Sequence, residues 1–144
     1  MLNFIKTYIL FVGLSSIIVS CNNSGRPVSK EDQKIFARFF QFEPTPDVKN
    51  FYYFPDEPGI DPSYWISFEC NESTVARVRE SLELQPESQP QEGLIGGLNI
   101  EPKPWWDTSF IKKSIPFSRQ KENTYRYLWY DKDKRKVYFL SFDT

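Results

Sequence analysis

Trp105-Trp106-Asp107 is the triplet with the most chemical promise in the chain. Adjacent residues on extended backbone point to opposite sides, so the two indoles do not easily enter one core together. An exposed indole can stack on a sugar ring while the neighbouring carboxylate accepts the sugar's hydroxyls. The reading favoured over this one is that both rings plug a core where this segment returns to the domain. Trp129, within the aromatic run at residues 124–130, completes the candidate binding set. Tyrosine and tryptophan are the residue types most enriched at protein-interface hot spots.

Carboxylates offer a second chemistry. Asp56, Glu57, Asp61, Glu69 and Asp107 are candidates for the acid and base of glycoside cleavage. No spacing pairs any two of them, and acidic residues of this kind more often lie in solvated loops. The chain has no histidine. That removes Ser-His-Asp and Cys-His catalysis and the commonest transition-metal ligand. With one free thiol at most, a zinc site is not expected. No catalytic residue, metal or cofactor is therefore assigned. Gly93-Leu94-Ile95-Gly96-Gly97 is read as flexible loop, because it neither follows a strand nor carries the Gly-Lys-Ser/Thr ending of a phosphate loop. Net charge is −1, and there is no basic excess that would point to nucleic acid. Lys132, Lys134, Arg135 and Lys136 alternate with Asp131 and Asp133, the pattern of a solubilising turn.

The N-terminus specifies a location. Lys6 is followed by an apolar run from Tyr8 to Val19, too short for a membrane-spanning helix, which needs about 20 residues. A positive start, an apolar stretch and a small residue before a cut make a signal peptide of residues 1–20. Ile18-Val19-Ser20-Cys21 resembles the lipobox of bacterial lipoproteins. The resemblance implies that the Cys21 thiol takes a diacylglyceryl group and that the chain is cut just before it. Two acyl chains suffice for stable anchoring. Asn22 is not aspartate and no acidic cluster follows. The periplasmic face of an outer membrane is then the expected site. Residues 21–28 read as a flexible tether. Removing 20 residues from 144 leaves 124, enough for one domain, assigned to 29–144. Cys70 then has no intramolecular partner and reads as a buried small apolar residue.

The elements that must position these residues follow from periodicity. Ser29-Lys30-Glu31-Asp32 approximates a capping box. Ile35, Phe36, Phe39, Phe40 and Phe42 then recur at helical spacing, as a core-facing stripe. Residues 48–54 read as a strand. Residues 64–70 read as a clearer one, with Tyr64, Ile66, Phe68 and Cys70 on one face and Trp65, Ser67 and Glu69 on the other. A helix over 72–84 is capped by Asn71. Residues 85–104, rich in proline, glutamine and glycine, read as a long exposed loop. Residues 124–130 and 137–142 form a hairpin around a charged turn. Both hairpin faces carry large apolar groups, so one packs on a helix and the other must be covered or used. The expected fold is α+β: a small antiparallel sheet of about four strands with two helices packed on one face.

These features favour a membrane-tethered, non-enzymatic domain that binds another protein of the cell envelope, as an immunity-like inhibitor or an assembly accessory. An envelope glycan-binding module and a histidine-free carboxylate hydrolase are the alternatives.

Overall fold

A computed structural model describes residues 25–57, 61–91, 94 and 103–144. The expected leader, Cys21 and most of the expected loop beyond residue 91 lie outside these residues. Among them, the elements in chain order are α1 (Lys30–Phe40), β1 (Lys49–Asp56), β2 (Ser63–Glu69), α2 (Glu72–Ser81), β3 (Gln85–Pro86), α3 (Thr108–Lys113), β4 (Phe117–Lys121), β5 (Thr124–Asp131) and β6 (Lys136–Asp143). The strands form one antiparallel sheet in the order β1-β2-β6-β5-β4-β3. The fold is α+β. The sheet has six strands rather than about four. The additions, β3 and β4, were hidden for a physical reason. β3 is two residues long and ends in a proline, and β4 carries a single apolar residue, Phe117. Both are held by pairing to the hairpin rather than by their own patterning.

The N-terminal capping box forms as its residues predict. Ser29 Oγ accepts from Asp32 N at 3.1 Å, and the Asp32 carboxylate accepts from Ser29 N at 3.2 Å. α1 stops at Gln41, which adopts a left-handed φ of 65° ahead of the prolines. α2 departs from its sequence reading at both ends. Asn71 occupies the N-cap position, but its side chain accepts from Arg135 instead of capping the helix. The helix ends at Ser81, three residues short of expectation.

Alternation along β2 and β6 sorts the sheet into two buried faces. On the first, Ile66, Phe68, Leu128, Val137 and Phe139 pack against Phe36 and Phe40 of α1 and Val75 and Val78 of α2. On the second, Trp65, Trp129, Tyr138 and Leu140 pack against Trp106 and Ile111. The two expected helices, α1 and α2, pack on one face, and a third helix, α3, adds a layer on the other. α3 and the tryptophan segment before it close the other face, because two central strands apolar on both sides cannot leave one side to water.

The chain segment ahead of α1 is docked. Asn50 N donates to Arg26 O at 2.9 Å and Arg26 N donates to Asn50 Oδ1 at 2.7 Å. Pro27 bridges Lys49. The attachment coincides with an irregularity in β1, where the register shifts between Lys49 and Tyr52 and Asn50 takes φ 49°. Gly25 fits here because it has no side chain. A Cβ at that position would lie 3.0 Å from Lys49 Cδ. The expected tether over 21–28 is therefore fixed to the sheet edge from Gly25 onward.

Candidate functional site

The structure separates the four candidate binding residues. Trp129 is 1% exposed and Trp106 is 7% exposed. Their rings meet at 6.5 Å in an edge-on contact, and Trp106 also packs edge-on against Trp65 and Tyr138. Neither presents a ring face at the surface. A turn closed by Trp106 N donating to Lys103 O at 2.9 Å directs Trp106 inward and leaves Trp105 outside. Trp105 is half-buried and lies parallel to Tyr52 of β1, with centroids 5.5 Å apart. Of the two adjacent indoles, one is core and one is at the rim.

Asp107 is committed to structure. Its Oδ1 caps α3 by accepting from Phe110 N at 2.9 Å, and its Oδ2 accepts from Lys134 Nζ at 2.9 Å. These two bonds hold its carboxyl below the ordinary carboxylate value, the Lys134 contact contributing most. A lowered value in the folded state means a contribution to stability that is complete above about pH 4 and disappears as pH falls through the folded value. Asp107→Ala is expected to cost about 1 kcal/mol at neutral pH through loss of the cap. In an acid titration of stability, the gap between wild type and Asp107→Ala should narrow below pH 4. A gap constant to pH 2 would show that the carboxylate charge plays no part.

Of the hydrolase candidates, Glu69, like Asp107, holds a structural bond. Glu69 accepts from Asn50 Nδ2 at 2.9 Å. It lines a small cavity of about 70 Å³ together with Asp47, Cys70, Lys134 and Arg135. Asp47 is fully engaged, accepting from Asn71 N at 2.8 Å and from Thr74 Oγ1 at 2.9 Å. Burial opposes its ionisation, but hydrogen bonds from Thr45, Asn71 and Thr74 outweigh it and leave the carboxyl below its ordinary value. Both carboxylates therefore act as fixed acceptors. Among the described residues, no group of three histidine, cysteine, aspartate or glutamate side chains is placed to hold a metal.

What the sequence reading missed is a ladder of rings on the second sheet face, at the end away from α3. Tyr125 stacks on Phe142 at 5.1 Å, Phe142 lies parallel to Tyr127 at 6.2 Å, and Tyr127 lies parallel to Trp129 at 5.8 Å. Trp129 is buried, but Tyr125, Tyr127 and Phe142 are half-buried. Phe54 of β1, beneath the Lys103 ammonium at 3.9 Å, continues the apolar surface on the same face. The signal lay in the sequence as alternate residues 125, 127 and 129 opposite 142, once the hairpin register is known. This partly open aromatic face, with the Trp105–Tyr52 stack at its far side, is the candidate binding surface. No protein-family model, curated protein or solved structure matches the chain.

Proposed function

We propose that this protein is a lipid-anchored, non-enzymatic protein-binding domain of the bacterial cell envelope, held by Cys21 at the periplasmic face of an outer membrane. The observation that carries the protein-binding reading is the ladder Tyr125–Phe142–Tyr127. Three large rings are locked parallel by β-sheet register and only half covered. Rigid aromatic side chains give much contact area for little lost conformational freedom, which suits an interface hot spot. Two of the five carboxylates considered for hydrolysis, Glu69 and Asp107, are occupied by structural bonds, which supports a binding role over catalysis at those positions. An immunity-like inhibitor and an assembly accessory both fit this description.

The glycan reading keeps one observation in its favour, because Trp105 remains partly exposed. Its second element is weaker, since the Asp107 carboxylate is spent on Lys134 and the α3 cap.

The test is a crosslinked pull-down of the lipidated protein from its own envelope, read by quantitative mass spectrometry, for wild type and for Tyr125→Ser/Tyr127→Ser. One protein should be recovered near stoichiometry with wild type and at least tenfold less with the variant, while the variant still melts cooperatively. Equal recovery with both would remove the ladder as the interface. Sugar retained in place of protein would move the assignment to glycan recognition at Trp105.

A further inference from the structure

The opposite face of the same hairpin carries a charge arrangement that the protein-binding reading does not use. Phe117 and Leu128 are direct cross-strand partners, and both pack with the first core. Two residues further out, on the same face, Arg119 stands directly opposite Arg126, and Lys121 stands opposite Thr124. These four side chains and Glu122 line a cavity of about 240 Å³. Like charges placed directly opposite destabilise a sheet pair.

The two arginines differ in their surroundings. Arg119 spends part of its five-donor fork, pairing with Glu83 and donating to Leu82 O at 3.3 Å, and keeps the remaining donors. Arg126 is half-buried and has no hydrogen bond or ion pair with any described residue. Asp143, across the ladder, accepts from Thr124 Oγ1 at 2.6 Å, and its charge reaches Arg126 without a direct bond. A third guanidinium packs on the same face outside this cavity, beside Phe117. Arg79 of α2 stacks on Phe117 at 3.7 Å, and its buried Nε has no acceptor among the described residues. A partly desolvated guanidinium presents five donors in a planar fork, and leaving them without acceptors is costly.

We propose that the β4–β5 tip is a phosphate-binding site, with Arg126 and Arg119 as opposed forks and Lys121 as an outer cation. The choice of phosphate follows from counting acceptors. A carboxylate has two oxygens and satisfies one fork, whereas a phosphate group has enough to engage both arginines and the ammonium. Glu122 and Asp143 border the site and limit how much negative charge it accepts, which suits one phosphate group rather than a polyanion. The group is either free in solution or carried on a lipid.

The first arm of the test is thermal unfolding of the full chain in inorganic phosphate and in chloride at matched ionic strength. Phosphate should raise the melting temperature of wild type, and Arg126→Gln should weaken the apparent phosphate affinity at least tenfold. In phosphate-free buffer, Arg126→Gln should melt no lower than wild type, because it relieves the opposed pair. Arg126→Lys, which keeps the charge and loses the fork, should fall between them. The second arm measures capture of a Cys21→Ser chain on phosphatidylglycerol vesicles against phosphatidylcholine vesicles. Capture that Arg126→Gln abolishes assigns the phosphate to a lipid headgroup, and a response to inorganic phosphate alone assigns it to a soluble ligand. No phosphate-specific response in either arm, or responses unchanged by Arg126→Gln, would overturn the site.

Discussion

Trp129→Ala should lower the stability of the domain by about 3–5 kcal/mol, the range for removing a fully buried tryptophan. Against a total of roughly 5–15 kcal/mol for a natural domain, this leaves a chain that is marginal or unfolded. Trp129 is 1% exposed, and its ring bridges the second core to the aromatic ladder through contacts with Trp106 and Tyr127. Trp106→Ala should behave alike, because its ring touches Trp65, Trp105, Trp129 and Tyr138 together. Trp105→Ala should cost much less, since its ring is half-buried and stacks chiefly on Tyr52. Chemical denaturation of the three variants separates these roles directly. Equal, small losses at all three positions would mean that the second layer does not close the sheet. Trp129→Phe is the informative companion. It retains most of the ring and deletes an indole N–H that has no acceptor among the described residues, so it should lose far less than the alanine variant.

Raising the pH from 9 to 11 should remove roughly 4 kcal/mol of stability. The origin is two protons held by opposite faces of the sheet. Burial first, and then the nearby Asp47 charge, push the Cys70 thiol up from 9.0 to about 12. Burial and then Asp107 push the Tyr138 phenol up from 10.0 to about 12. In both cases the folded state keeps a proton that the unfolded chain releases. Stability is complete below pH 9 and falls as pH climbs toward 12. Tyr127 and Tyr130, raised chiefly by burial, act in the same direction. Lys136, whose ammonium burial pushes down, acts against it. Urea midpoints of wild type should therefore drop steeply between pH 9 and 11, and those of Cys70→Ala/Tyr138→Phe should be markedly flatter. Parallel curves for the two proteins would show that neither proton is retained on folding.

The sequence was most readable where local pattern and final burial agree. The capping box of α1 and the alternation of β2 are of this kind, since one follows from side-chain chemistry three residues apart and the other from a period of two. The faces of β2 follow the same alternation, with Ile66 and Phe68 in one core and Trp65 in the other. The site was much less readable. Adjacency of Trp105 and Trp106 says that they diverge, but not which one meets the sheet. That is settled by Trp65, Trp129 and Tyr138, which lie far along the chain. α3 had usable signals in Asp107 as an N-cap and Lys112 and Lys113 in the last turn, yet its six residues are too few for periodicity to register. The ladder and the opposed arginines both depend on β-register, which no single strand encodes.

The docked segment ahead of α1 has a consequence for how an anchored molecule would move. With Gly25 pinned at the start of β1, a lipid on Cys21 leaves four backbone steps of slack, at most about 14 Å when fully stretched. The leash would leave from the end of the sheet bearing Lys49, Glu69, Lys136 and Asp131. The opposite end, with the β4–β5 tip, lies roughly seven residues of strand, about 23 Å, further along the sheet, and would meet headgroups only when the domain tilts on that leash. The search for a partner then becomes lateral and two-dimensional, conducted within a short reach of the lipid.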